Sequence, residues 1–104
     1  MNNKLKKMYQ AYCGLKFPPN QIVDSSDIFA RLALLDGDLA GLVSSFIQNN
    51  KKIINLSADI KLIEDEVKNL SDSQATPEVK KHFLNYINEM EKLNNFYLSF
   101  FKDQ

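Results

Sequence analysis

The sequence predicts an all-α fold, a small bundle of three to four helices built on a long antiparallel helical hairpin. Two series of apolar residues support this fold, because the spacing in each alternates between three and four residues, the period of helices that pack side by side. The first series, in which Asn49 is the only polar member, runs through Leu39, Leu42, Phe46, Asn49, Ile53, Leu56, Ile60, Ile63, Val67 and Leu70. The second series runs through Val79, Phe83, Tyr86, Met90, Leu93, Tyr97 and Phe100. We expect one helical domain over residues 1–104, with helices at about 3–13, 26–36, 39–70 and 77–101.

The first two helices are predicted in the N-terminal third. Gly14 can end the first helix, and the prolines of the following FPP motif interrupt helical structure because they remove two backbone donors. Ser25 or Ser26 can cap the second helix, with Asp27 in its first turn. The apolar stripe of the first helix consists of Leu5, Met8, Tyr9 and Tyr12. That of the second consists of Ile28, Phe29, Leu32 and Leu35.

The third helix is predicted to begin within LLDGDLAGL, residues 34–42, which contains two glycines and two aspartates. Four such residues inside a helix cost about 3 kcal/mol relative to alanine. Gly37 suits the end of one helix and Asp38 the N-cap of the next, so we expect a break or sharp bend at 36–38. The alternative is one continuous helix, because the apolar phase is kept by Ile28, Leu32, Leu35, Leu39 and Leu42.

The fourth helix is predicted to begin directly after SDSQAT, residues 71–76. Thr76 can cap its N-terminus, and Pro77 fits the first helical position because the missing N–H would be unpaired there. Glu78 suits the positive end of the helix dipole. Since the join is short, we expect the two helices that it connects to be antiparallel neighbours.

Composition bounds the partners and the compartment. The chain has 13 basic and 13 acidic residues, so no net charge attracts nucleic acid. Cys13 is the only cysteine and cannot form an internal disulfide. No apolar run approaches the roughly 20 residues that span a bilayer. We therefore expect a cytoplasmic protein that binds no nucleic acid and does not insert into a membrane.

The sequence contains no motif that indicates catalysis. His82 is the only histidine, so neither a zinc site nor the Glu-x-x-His pairs of a di-metal bundle can form. A calcium loop counted from Asp36 fails, because Ala40 and Ile47 stand where oxygen ligands are required. We expect no catalytic residue, no cofactor and no metal, and predict that the protein is not an enzyme.

The C-terminal segment NNFYLSFFKDQ has more apolar residues than one helical partner can cover. Tyr97 and Phe100 continue the second apolar series, whereas Phe96, Leu98 and Phe101 point to other sides of the helix. We predict that these three residues bind another protein. The alternative is that the two N-terminal helices cover them.

These features predict a non-enzymatic protein-binding module, of adaptor or chaperone type, which uses helix faces and the C-terminal aromatic cluster. The stretch GDLAGLVSSFIQNNKKIINL, with a terminal helix after a short polar loop, resembles small bacterial flagellar or secretion chaperones. That resemblance implies a helical bundle that holds an export substrate. A small bacteriocin-type immunity protein, also a cytoplasmic bundle, is an alternative.

A structural homo-oligomer is a further alternative, in which the predicted 39–70 helix pairs with a second copy as a coiled coil. The β-branched residues and leucines of its apolar series favour a parallel homodimer. Its flanking charges do not, because a parallel pair would set Asp59 against Glu64.

Overall fold

The computed structural model describes residues 3–19, 21–23, 26–48 and 54–100. Within these ranges the chain forms four α-helices and no strand, which confirms the all-α small bundle. The helices are α1 (Asn3–Cys13), α2 (Ser26–Ile47), α3 (Ser57–Lys68) and α4 (Pro77–Ser99). None of these helices is long and apolar enough to cross a membrane.

α3 and α4 form the antiparallel pair that the sequence predicts. The short join 69–76 brings the end of α3 close to the start of α4. At the opposite end, the Asn94 amide nitrogen donates to Ser57 Oγ at 3.0 Å, so the start of α3 lies beside the last turns of α4. Both helices bury members of their apolar series in the core, including Ile60, Ile63, Val67, Phe83, Met90 and Leu93.

Thr76 caps α4 as the sequence predicts. Its hydroxyl oxygen accepts a hydrogen bond from the Val79 backbone N–H at 3.2 Å, and Pro77 occupies the first helical position. We expect Thr76→Ala to lower the free energy of unfolding by about 1 kcal/mol, because this donor loses its acceptor. Urea denaturation measures the loss, and Thr76→Ser, which retains the oxygen, should lose less than half as much. Equal losses in the two variants would contradict the assigned cap.

The predicted break at 36–38 is wrong, and so is the predicted end of the second helix at residue 36. α2 continues without interruption from Ser26 to Ile47. Asp36 does not cost the helix what its intrinsic propensity suggests, because two tyrosine hydroxyls from other helices donate to its side chain. Leu35, Leu39 and Leu42 are buried on the same helix, so packing also offsets the propensity cost.

The predicted continuous helix over 39–70 is also wrong. α2 ends at Ile47, residues 54–56 are not helical, and α3 begins at Ser57. The Asn55 side chain accepts a hydrogen bond from the Ser57 N–H at 2.9 Å, a local bond that competes with helix formation. Two members of the apolar series, Asn49 and Ile53, lie outside the described residues. The first arm of the hairpin is therefore α3 alone and is shorter than predicted.

α2 packs against all three of the other helices, α1, α3 and α4. Leu32, Leu39 and Val43 on its inner side are completely buried. Leu34, Gly37 and Gly41 on its outer side are exposed. The rotation of α2 about its axis therefore determines which of its residues face solvent.

Candidate functional site

A buried polar cluster connects α1, α2 and α4 and sets the rotation of α2. We name it the tyrosine clamp; it consists of Tyr12, Asp36 and Tyr86. The hydroxyls of Tyr12 and Tyr86 both donate to Asp36 Oδ1, at 2.7 and 2.9 Å. The two rings also contact each other, with centroids 5.3 Å apart. Since helical residues two positions apart point to nearly opposite sides, the inward Asp36 places Leu34 and Asp38 on the outer side of α2.

The hydroxyls of the tyrosine clamp keep their protons well above neutral pH. Burial raises the pKa of Tyr86 to about 12, and the neighbouring Asp36 carboxylate adds to this effect. Burial also raises the pKa of Tyr12, and the neighbouring Tyr86 hydroxyl and Asp36 carboxylate act in the same direction. Both hydroxyls therefore remain donors to Asp36 at neutral pH, which makes the clamp a structural connection between three helices.

The clamp makes stability sensitive to alkaline pH. The pKa of Tyr86 is about 12 in the folded protein against 10.0 as its ordinary value, so the folded state holds this proton more tightly than the unfolded state. The resulting stabilisation is complete below pH 10 and is lost as the pH rises through 12. We expect the free energy of unfolding to fall over this interval in urea titrations at successive pH values. Tyr86→Phe should show a shallower fall, and an unchanged slope would contradict the clamp.

A groove between α2 and α3 holds three of the large apolar side chains that are exposed in the described part of the chain. Leu34, Ile54 and Leu62 are 68%, 48% and 56% exposed. Leu34 and Leu62 line a depression of about 200 Å³. Ile54 lines a second depression, of about 330 Å³, and Asp38 belongs to the walls of both. Because Asp38 belongs to both depressions, we treat them together as one surface, the α2–α3 groove, whose principal residues are Leu34, Gly37, Asp38, Gly41, Ile54, Asp59 and Leu62.

The two glycines of the α2–α3 groove have no role in internal packing. A Cβ atom added at Gly37 or at Gly41 would meet no atom within 4 Å. Both residues lie inside α2, where no turn requires glycine, and each costs about 1 kcal/mol relative to alanine. Within the ranges that the structure describes, packing therefore gives no reason for glycine at these positions.

Some of the charged residues along the α2–α3 groove form ion pairs and others do not. Arg31, at one end, forms ion pairs with Asp27 on its own helix and with Glu66 on α3, and so ties the two helices together. Asp38 and Asp59 form no ion pair within the part of the chain that the structure describes. The groove therefore combines exposed apolar side chains with two unpaired carboxylates.

The predicted binding residues at the C-terminal end are partly covered by the bundle itself. Phe96 is half-buried, with its ring 5.2 Å from that of Phe100 and the Lys4 ammonium 5.2 Å from its centroid. Leu98 is also half-buried, and Phe101 lies outside the described residues. Lys4 belongs to α1, so the N-terminal helix covers part of Phe96, as the alternative interpretation of the sequence expects. Protein binding by these residues remains a prediction.

A cavity of about 380 Å³ lies between α4 and the segment after α1. Its walls include Lys16, His82, Asn85 and Asn88. His82 is exposed there. Among the described residues no group of three histidine, cysteine, aspartate or glutamate side chains is placed to hold a metal ion. The cavity is open to solvent.

Comparison of the chain with known protein families, with curated proteins and with solved structures finds no match. Function must therefore be argued from the surfaces of this molecule.

The α2–α3 groove was missed by reasoning from the sequence. Leu34 and Leu62 fall outside both apolar series, and this departure from the helical period was the available signal. Gly37 was interpreted as the end of a helix, and Gly41 was counted only as a residue that is unfavourable inside one.

Proposed function

We propose that the protein is a non-enzymatic protein-binding module, of adaptor or chaperone type, and that its binding surface is the α2–α3 groove. One observation supports this proposal above the others. Exposed Leu34 and Leu62 line one depression, and two helix glycines with open space above them line a second one, with Asp38 in the walls of both. Such a surface is apolar, and because two of its helix positions lack a side chain, another protein can approach the helix backbone closely there.

The magnitudes are sufficient for a binding site. Burying a leucine side chain that was exposed contributes roughly 2 kcal/mol. Single exposed apolar residues are ordinary, but Leu34, Ile54 and Leu62 line one surface with a concave centre. A partner that covers all three would gain several kcal/mol from apolar contact alone.

The homo-oligomer alternative relied on a continuous helix over residues 39–70, and the chain does not form one. Leu39, Ile60 and Val67, which would form its seam, are at most 1% exposed within one chain. Self-association through the α2–α3 groove would be a different interface. The proposal retains the cytoplasmic location expected from composition, and the resemblance to export chaperones is one form that such binding could take.

Site-specific photo-crosslinking in the cells that produce the protein tests the proposal. A photoreactive amino acid replaces Leu34 in one variant and Leu62 in another, and a third variant with the label at Leu15 serves as the matched control. Leu15 is also exposed, at 40%, but lines the cavity between α4 and the segment after α1, which shares no lining residue with the groove.

We expect the labels at 34 and 62 to form covalent adducts with the same protein and the label at 15 to form none with it. Mass spectrometry of the adducts identifies the protein. The absence of adducts at 34 and 62, or equal adducts at all three positions, would overturn the proposal. Adducts between two copies of the chain would favour the homo-oligomer instead.

A further inference from the structure

The α2–α3 groove has features that select one kind of partner. We infer that the groove receives an α-helix of another protein, which lies across Gly37 and Gly41 with small or apolar residues against them and presents lysine or arginine to Asp38 and Asp59. This inference rests on the proposed function and names the partner chemistry of that site.

The spacing of the glycines favours a helix as the bound element. Gly37 and Gly41 are four residues apart and so lie on the same side of α2, one turn after the other. Packed helix axes are separated by 8–10 Å, and the distance depends on the side chains at the contact. Two missing Cβ atoms one turn apart allow the backbone of a second helix to reach the short end of this range.

The length of the surface also suits a helix. The α2 residues that line the groove extend from Arg31 to Ser45, which corresponds to about 21 Å along the helix axis. A partner helix that lies along it can therefore place up to about four turns in contact. Leu34 near one end and Ile54 beside the glycines provide apolar contacts on both sides of the crossing.

The charges favour a basic partner. Asp38 belongs to both halves of the groove and Asp59 lies at the α3 edge, and neither forms an ion pair among the described residues. An acidic segment would be repelled from this surface, whereas lysine and arginine complement it. The aliphatic part of such a side chain can cover Leu34 or Leu62 while its charged group reaches a carboxylate.

The same charges disfavour a second copy of this chain as the occupant. A twofold interface applies one patch to itself. In this case it would bring Asp38 and Asp59 of both copies into the same contact, where like charges repel. We therefore assign the groove to a different protein.

A selection from a displayed library of amphipathic helices tests the inference. Each member has about 18 residues, or five turns, with a fixed alanine and leucine stripe and polar positions randomised among lysine, arginine, glutamate, aspartate, glutamine and serine. Selection is performed against the full chain alone, and the selected clones are then titrated against Gly37→Ala/Gly41→Ala. This double variant is a suitable control because both added Cβ atoms lie in open space.

We expect the selected helices to contain more basic than acidic residues and to bind the double glycine variant about tenfold more weakly. Asp38→Asn/Asp59→Asn should weaken them by about tenfold as well, and added salt should weaken binding to the original chain more than binding to this variant. Selected helices without basic excess, helices that bind all variants equally, or no selected helices would each overturn the inference.

The two proposals fail in distinguishable ways. If photo-crosslinks at 34 and 62 form with another protein but the selected helices show no basic excess, only the partner chemistry is wrong. If neither position forms crosslinks, the proposed function itself is wrong. Self-association that depends on concentration and is abolished by Leu34→Asp would assign the groove to a second copy and overturn the inference.

Discussion

Replacing Asp36 with alanine is expected to lower the free energy of unfolding by about 3 kcal/mol. The substitution removes the acceptor of two hydrogen bonds, from the buried hydroxyls of Tyr12 and Tyr86. Hydrogen bonds to a charged group contribute about 1.5–3 kcal/mol each, and the two hydroxyls would be left without this acceptor. The better helix propensity of alanine returns only a little over 0.5 kcal/mol.

Urea and thermal denaturation measure this loss. In a chain of this length 3 kcal/mol corresponds to a fall in Tm of roughly 12–20 °C. Asp36→Asn is the matched control, because it retains an oxygen at the same position and should lose less stability than alanine. If Asp36→Ala unfolds at the same urea concentration as the original protein, the tyrosine clamp does not hold the three helices together.

The double substitution Gly37→Ala/Gly41→Ala is expected to raise the free energy of unfolding by about 2 kcal/mol. Each glycine in the interior of α2 costs about 1 kcal/mol relative to alanine, because glycine loses more conformational freedom than alanine when the chain folds. The added methyl groups meet no atom within 4 Å, so no clash opposes the gain.

Gly14→Ala provides the control for this prediction. A Cβ at Gly14 would lie 3.3 Å from the Ala11 carbonyl oxygen, closer than an ordinary contact, so this substitution should give no comparable gain. Urea denaturation of the variants measures the differences. A loss of stability in the Gly37→Ala/Gly41→Ala variant would show that the glycines serve packing within the chain, and would remove the main support for the groove as a binding surface.

These results together would separate folding from binding. A variant with alanine at both positions that is more stable and yet binds its partner less well cannot owe the loss of binding to unfolding. Glycine at 37 and 41 would then be explained by the approach of a second protein rather than by the fold.

Local signals in the sequence predicted much of the fold. The first helix lies at Asn3–Cys13 as expected, and α4 begins at Pro77 behind the Thr76 cap. These features depend on residues that are close in the chain, such as the threonine hydroxyl and the N–H three residues later. The antiparallel arrangement of α3 and α4 follows from the shortness of their join and was therefore also predictable.

The path of the chain through residues 34–56 was not predictable from such signals. Asp36 was interpreted as part of a helix break, but its two hydrogen-bond donors come from positions 24 and 50 residues away in the sequence. The end of α2 was missed because Leu56 and Ile60 continue the apolar series by spacing, although they belong to a separate segment. Apolar periodicity indicates which residues are buried, but it does not indicate whether those residues belong to one helix or to two.

The candidate site likewise depends on contacts between residues that are distant in the sequence, which local signals do not predict. The sequence alone determined that the chain is all-α, which residues form most of its core, and where the last helix begins, because these properties arise from local propensity and apolar spacing. Only the tertiary structure decided that α2 passes unbroken through its two glycines and that Leu34 and Leu62 meet on one exposed surface. The physical reason is that hydrogen bonds from distant tyrosines and the packing of α2 against three helices outweigh the local preference of Asp36, Gly37 and Asp38 for a helix end.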